Sequence, residues 1–119
     1  MVGWTESFSG FPLANPGGGG YYDVTHNGGR DVFIAKFSGS NLSLLWSTYF
    51  GGNRDDRAPS VAVDGSGNVF VVGFTASPFG FPLADPGGGA YYRGIHNGGL
   101  HDAFIAKFSG SNLSLLWST

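Results

Sequence analysis

The side chains best suited to acid–base chemistry lie together in one short charged segment. Asp55 and Asp56 are adjacent and are flanked by Arg54 and Arg57, and paired carboxylates are groups that general acid–base catalysis often uses. Successive side chains of an extended chain point in opposite directions, so these two carboxylates are not expected to converge on one substrate atom. We therefore predict a solvated, charged turn with local ion pairs at this segment.

The three histidines do not follow a metal-binding pattern. His26 and His96 each lie in a His-Asn-Gly-Gly turn, and His101 stands alone, whereas zinc needs three or four ligands that converge on one ion. Residues 64–68, DGSGN, resemble a calcium loop only in part, because the further acidic ligands and the terminal Glu of such a loop are missing. We predict no metal site and no cofactor.

Signatures of nucleophilic catalysis and of phosphate binding are missing from the sequence. The chain has no cysteine and no Gly-x-Ser-x-Gly elbow, and the glycine run at 17–20 lacks the Lys-Ser/Thr pair of a phosphate-binding loop. Asp31 and Asp102 each precede an apolar run, and we expect them to accept hydrogen bonds within the fold. The sequence therefore predicts a protein that is not an enzyme.

Most of the chain consists of two closely similar copies of one sequence. Residues 32–48 (VFIAKFSGSNLSLLWST) and 103–119 (AFIAKFSGSNLSLLWST) are identical at 16 of 17 positions, and residues 11–29 match residues 81–99 at 14 of 19 positions. With a period of roughly 70 residues, the 119 residues make about 1.7 repeats. Such a period indicates a repeat protein, in which each unit buries its apolar surface against the next.

Each period predicts four short strands joined by hairpins. The runs at 31–37 and 44–50 are rich in β-branched and aromatic residues, and the runs at 60–63 and 69–75 flank a Gly/Asn turn. The last of these is apolar at nearly every position, which predicts a strand buried on both faces. No helical period occurs, so the predicted fold class is all-β, built from tandem four-stranded antiparallel blades of propeller type.

The repeat predicts a division into two parts. Residues 1–48 form a partial first repeat, with the last part of one strand, a long Gly/Pro/Tyr loop and two strands. Residues 49–119 form a second repeat of four strands, with an ordered loop at 76–101, and end within a strand. Unpaired strand edges at both ends favour two alternatives, an excerpt of a longer repeat protein or subunits that join head to tail.

The second repeat carries an ordered set of motifs. They are Gly51-Gly52-x-x-Asp55-Asp56-x-Ala58, Val61-Ala62-Val63-Asp64-x-x-Gly67-Asn68-Val69-Phe70-Val71-Val72-Gly73-x-Thr75, Phe81-Pro82, Asp102-Ala103-Phe104-Ile105-Ala106-Lys107-Phe108 and Leu115-Leu116-Trp117-Ser118-Thr119. This set resembles the bacterial SBBP β-propeller repeat. The resemblance implies a propeller-type blade in a large secreted or surface-associated bacterial protein. It implies no catalytic residues, because the family is defined by scaffold positions.

The composition limits the classes of partner. Charged residues make up 12% of the chain and the formal net charge is -2, so we expect no surface for nucleic acid or for an anionic membrane. The chain is 41% hydrophobic and 16% aromatic, which is too rich for a disordered protein. No apolar run approaches the roughly 18 residues that span a bilayer, and we predict no membrane insertion.

Two tyrosine pairs in the long loops are the best binding candidates. Tyr21 and Tyr22 in the first repeat correspond to Tyr91 and Tyr92 in the second, and exposed tyrosines offer flat, amphipathic faces to glycans or proteins. The competing interpretation, which we favour, is that these rings hold the long loop against the blade. Asn41 and Asn112 each begin an Asn-Leu-Ser triplet, which fits the N-glycosylation acceptor pattern in a surface turn.

Together these patterns predict a non-catalytic extracellular or cell-surface scaffold whose partners are copies of itself. The alternative is a carbohydrate-binding or adhesion module that uses the loop tyrosines. A third hypothesis, a fragment of a propeller hydrolase or lyase with its active site elsewhere, has less support because no convergent catalytic set is present.

Overall fold

The computed structural model describes all 119 residues, which form seven strands and no helix. The strands are β1 (Val2–Thr5), β2 (Asp31–Phe37), β3 (Leu44–Phe50), β4 (Asp56–Val63), β5 (Val69–Thr75), β6 (Asp102–Phe108) and β7 (Leu115–Ser118). The structure contains no helix long and apolar enough to cross a bilayer. The all-β prediction is confirmed.

The strands form two antiparallel sheets, each a simple meander. The first sheet has the order β1-β2-β3 and the second sheet the order β4-β5-β6-β7. The two copies of the repeated sequence fold alike, since β2 and β6 each pair with the next strand across a register shift at the same place, between Lys36 and Phe37 and between Lys107 and Phe108. The number of blades and of repeats stays a prediction.

The hydrophobic core lies between the two sheets, in a contact that we call the joint. The rings of Trp46 and Phe50 from the first sheet pack against Phe108 of the second, with centroids 5.4 and 5.5 Å apart. Face-to-face packing of equivalent sheets is the arrangement of propeller blades. The buried residues of the joint are Val32, Ile34, Trp46, Phe50, Ala58, Val71, Phe104, Ala106, Phe108 and Leu113.

The long loop of each repeat is attached to the last strand of its own sheet. Ala14 forms an isolated antiparallel bridge with Ser47, and Ala84 forms the equivalent bridge with Ser118. In the first repeat the backbone N–H of Ala14 donates to the Ser47 carbonyl over 3.1 Å. The loops at 6–30 and 76–101 are therefore ordered excursions across the sheet edge, as we predicted.

Two details differ from the sequence-based expectations. Strand β4 begins at Asp56 rather than at residue 60. The prediction that β5 is buried on both faces was wrong for this chain. Val71 is buried and Val72 is exposed, because the joint covers only one face of the second sheet.

Candidate functional site

Tyr21 occupies the centre of the joint. Its ring packs against Phe50 and Phe108, with centroid distances of 5.6 and 5.8 Å. Its carbonyl accepts a 2.9 Å hydrogen bond from Trp46 Nε1, and its backbone N–H donates to the Leu113 carbonyl over 3.0 Å. The first long loop thus crosses to the second sheet, and Tyr21 holds the two sheets together.

Tyr91, the equivalent of Tyr21 in the second repeat, has the same backbone support but a different environment. Its carbonyl accepts a 3.0 Å hydrogen bond from Trp117 Nε1, while the residue is 71% exposed. Tyr22 is half-buried and Tyr92 is exposed. The structure therefore does not bring the predicted tyrosines together into one site, because Tyr21 lies inside the joint.

An apolar cavity of about 440 Å³ lies beside Tyr91. Phe79, Phe81, Ile95 and Ile105 supply much of its wall. Polar groups at its edge come from Arg93, His96 and Asp102. A mostly apolar cleft with a few polar groups is the type of surface that accepts a flat or apolar ligand group.

Two buried aspartates form the polar end of the joint. Asp31 Oδ2 accepts a 2.8 Å hydrogen bond from the backbone N–H of Asn27. Asp56 Oδ2 accepts hydrogen bonds from the Gly52 N–H at 2.7 Å and from Ser77 Oγ at 3.0 Å. Both aspartates are fully buried, so each carboxyl orders the backbone of a turn.

The prediction of a solvated turn was wrong for Asp56 and right for Asp55. Asp56 is the first residue of β4 and is buried. Its carboxyl points inward and accepts a hydrogen bond from the Gly52 N–H. Asp55 points the other way and forms ion pairs with Arg30 at 3.0 Å and with Arg57 at 3.5 Å. The opposed directions follow from the alternation of side chains along an extended chain.

Burial raises the pKa of both buried carboxyls above the ordinary aspartate value. Hydrogen bonds from the surrounding backbone and hydroxyl groups oppose this rise. Gly51 lies between the two carboxyls, and a Cβ there would sit 2.7 Å from Asp56 Oδ2 and 3.2 Å from Asp31 Oδ1. The carboxyl pair is thus enclosed, with no room for a substrate, and its role is structural.

His26 and His96 make different contacts, although they occupy equivalent positions in the two repeats. His26 Nε2 lies 3.0 Å from the Thr5 carbonyl, and its ring packs against Phe8 and Tyr49. His96 Nδ1 lies 3.8 Å from Asp102 Oδ2. No group of three or more metal-ligating side chains converges in the structure.

The two glycosylation candidates occupy equivalent turns with different surroundings. Asn41 Oδ1 accepts a hydrogen bond from the Ser43 N–H, and Asn112 Oδ1 accepts one from the Ser114 N–H, each at 3.1 Å. Asn112 Nδ2 also lies 3.5 Å from the Gly18 carbonyl across the joint. Asn41 makes no such contact, and both asparagines are exposed.

Sequence reasoning missed the structural importance of Asp56 and Leu113. Asp56 and Ala58 are both buried and stand two positions apart, a strand period that places β4 four residues earlier than we predicted. Leu113 was part of an apparent surface turn, and its burial depends on the loop of the other repeat.

Comparison with known families gives one match. Residues 45–80 match the family model SBBP, described as Beta-propeller repeat. The matched segment runs from β3 through β4 and β5 and so includes the crossing from the first sheet to the second. No curated protein matches the chain.

Proposed function

Because residues 45–80 match the SBBP beta-propeller repeat, we propose that the chain is a non-catalytic scaffold that joins copies of itself head to tail. A repeat of this kind is a structural module that packs against its neighbours. The proposal adds to the family assignment an assembly role and a location outside the cell or at its surface.

The observation that carries the assembly role is a pair of open apolar surfaces. Val72 and Ile105 are exposed on the outer side of the second sheet, and Phe37 and Leu42 are exposed on the outer side of the first. Contiguous apolar surfaces left open on a small protein mark sites of protein contact. Since one surface lies at each end of the two-sheet stack, a chain of copies can form.

Sedimentation velocity over a wide range of protein concentration tests the assembly role. The proposal predicts a weight-average mass that rises with concentration, and electron micrographs that show rings or filaments. A single monomeric species at every concentration contradicts the proposal.

We base the proposed absence of catalysis on the hydrogen bonds that the buried titratable groups make. The two buried aspartates are engaged by backbone amides, and Ser77, which lines the cavity beside Tyr91, donates its hydroxyl to Asp56. Screening the chain for hydrolase and lyase activity on model glycosides and esters tests this point. Turnover that disappears when Asp31 or Asp56 is changed to Asn in a folded variant contradicts it.

The location is proposed from the family resemblance and the sparsely charged surface. Surface proteolysis and fractionation of producing cells test it, with the protein expected in the medium or accessible to added protease. Recovery only from the protected cell interior contradicts the extracellular role and leaves the assembly role intact.

A second candidate function is carbohydrate binding, favoured by the exposed Tyr91 ring beside the apolar cavity. Sugars stack on exposed aromatic rings. If this function holds, Tyr91→Ala and Tyr92→Ala abolish binding on a glycan array while the chain stays folded by circular dichroism. Tyr22→Ala, in the equivalent loop of the first repeat, serves as the matched control.

A further inference from the structure

We propose that the outer side of the second sheet packs on the outer side of the first sheet of another copy, reproducing the joint between chains. This inference rests on the proposed scaffold function and specifies the surfaces and residues that perform it. We call the outer side of the second sheet the forward face (Val72, Ala103, Ile105, Trp117 and the Tyr91 ring). We call the outer side of the first sheet the rear face (Phe33, Phe37 and Leu42).

The forward face repeats the half of the joint that the first sheet supplies. Ile34 lies in the joint with 2% of its surface exposed, whereas its equivalent Ile105 is 39% exposed. Trp46 is buried and its equivalent Trp117 is only partly covered. These residues have the same type and the same position in their strands, so the second sheet presents a surface already shaped to receive a partner sheet.

The rear face repeats the other half of the joint. Phe108 is buried between the sheets, and its equivalent Phe37 is exposed. Leu113 is 7% exposed and its equivalent Leu42 is 76% exposed. The partner that fits the forward face is therefore present on the same chain, which identifies the occupant as a second copy.

The turn that carries Leu42 already has the conformation used in the joint. Leu42 has a φ of 57° and Leu113 has a φ of 61°, in a left-handed region that leucine rarely adopts. The first turn holds this strained geometry although its leucine has nothing to pack against in the chain. The rear face therefore needs no rearrangement before it binds.

Polar groups also match across the proposed contact. In the joint, the Tyr21 N–H donates to the Leu113 carbonyl over 3.0 Å. Their equivalents, the Tyr91 N–H and the Leu42 carbonyl, make no hydrogen bond within the chain. We expect these two groups to bond to each other between copies, and the Tyr91 ring to pack against Phe37 as Tyr21 packs against Phe108.

One residue makes the contact between copies looser than the joint. A Cβ at Gly20 would lie 2.5 Å from the Asn112 carbonyl oxygen, and the equivalent position in the second repeat is Ala90. Its methyl group must push the turn of the next copy back slightly. The Ala90→Gly variant is therefore expected to associate more tightly than the natural chain.

The forward and rear faces differ, so the contact is heterologous. Each added copy covers one face of each kind and leaves one of each kind free. Such contacts extend into open chains or close into rings when the rotation allows.

The test uses two variants that each block one face. Ile105→Asp blocks the forward face and Phe37→Asp blocks the rear face, while Leu100→Asp changes an exposed loop residue outside both faces. In sedimentation velocity, each blocked variant is expected to be monomeric alone. An equimolar mixture is expected to form one-to-one dimers and nothing larger, and the Leu100→Asp control to assemble as the natural chain does.

A paired substitution separates association from folding. Asn tolerates a left-handed φ, so Leu42→Asn is expected to keep the natural unfolding midpoint and to lose association. The same change in the joint, Leu113→Asn, is expected to lower the midpoint. If Leu42→Asn also unfolds the chain, the Ile105→Asp and Ala90→Gly variants still measure the contact from the forward side.

The outcomes distinguish the two proposals. A natural chain that assembles while all blocked variants assemble equally well overturns the faces named here and leaves the scaffold function standing. Blocked variants that still form dimers on their own overturn the head-to-tail contact, because that result indicates a symmetric one. A natural chain that never assembles overturns the scaffold function itself.

Discussion

Residues 32–48 and 103–119 differ at one position in 17, yet the structure places them in opposite environments. In the first copy Val32, Ile34 and Trp46 are buried in the joint, while in the second copy Ala103, Ile105 and Trp117 lie on an open face. On the other side of the strands the relation is reversed, since Phe108 is buried and Phe37 is exposed.

The comparison shows that burial in this protein is decided by the neighbouring unit. The same leucine is a core residue at position 113 and a surface residue at position 42 because a second sheet covers only one of them. Fully burying a large apolar side chain stabilises a protein by roughly 1.5–3 kcal/mol. An identical substitution in the two copies should therefore have very different effects, which gives direct ways to test the comparison.

The largest difference is expected for the equivalent phenylalanines. Phe108→Ala removes a ring that contacts Tyr21, Trp46 and Phe50 in the joint and is expected to lower the free energy of unfolding by about 3–5 kcal/mol. Phe37→Ala, measured in dilute solution, is expected to cost no more than about 1 kcal/mol. Urea unfolding gives both values, and equal costs contradict the comparison.

The tyrosines provide a second pair. Tyr21→Ala is expected to destabilise the monomer by about 2–3 kcal/mol, because the ring is packed between two phenylalanines. Tyr91→Ala is expected to change monomer stability by only about 0.5 kcal/mol and to weaken association. Thermal unfolding together with light scattering separates the two effects, and a Tyr91→Ala variant that unfolds like Tyr21→Ala shows that this ring already belongs to a core.

The polar end of the joint predicts a pH dependence. A carboxyl whose pKa is raised on folding, as at Asp56, stabilises the fold most below the unfolded value of about 3.9. That contribution is lost as pH rises through the folded-state pKa. The Asp56→Asn variant has no such loss. The free energy of unfolding of the variant, relative to that of the natural chain, should therefore rise between about pH 3 and pH 7.

The control for this measurement is an aspartate with the opposite shift. Hydrogen bonds from Asn68 lower the pKa of the exposed Asp64, so its contribution is present at high pH and is lost as pH falls. The free energy of unfolding of the natural chain, relative to that of the Asp64→Asn variant, should therefore rise as pH rises. If both variants follow the natural chain in parallel, the buried carboxyl does not titrate as described.

The smallest effect is expected where the two repeats differ in sequence. Arg30 pairs with Glu6 at 2.6 Å and reaches Asp55 at 3.0 Å, whereas the second repeat has Leu100-His101 there. Arg30→Ala is expected to produce a small loss of stability that disappears in high salt, since exposed ion pairs are weak and screened. His101→Ala is the matched control, and a loss that persists in high salt indicates a packing role for Arg30.

Local sequence was sufficient to predict the strands and turns of both repeats, apart from the first four residues of β4. The run at 31–37 is a strand because its β-branched and aromatic residues end at a Ser-Gly-Ser-Asn turn, and the structure gives Asp31–Phe37. The ion pair of Asp55 with Arg57 was also predictable, since both belong to one charged segment, whereas the pair with Arg30, 25 residues away, was not. The family resemblance agrees with the match over residues 45–80.

Burial was not predictable, because it depends on contacts that are distant in sequence. Asp56 is buried through the hydroxyl of Ser77, which lies 21 residues away. Tyr21 and Tyr91 lie in nearly the same local sequence, Gly-Tyr-Tyr in the first repeat and Ala-Tyr-Tyr in the second. Only the presence of a second sheet determines which ring is covered. A repeated sequence predicts equal environments, and the ends of the stack break that equality.

Hydrogen exchange at the Tyr91 amide, followed as protein concentration rises, tests the central claim without any substitution. The Tyr21 amide, which donates to the Leu113 carbonyl in the joint, should be protected at every concentration and serves as the internal reference. The Tyr91 amide should exchange rapidly in dilute solution and become protected as copies associate. Assembly that leaves the Tyr91 amide unprotected would contradict the claim that copies reproduce the joint.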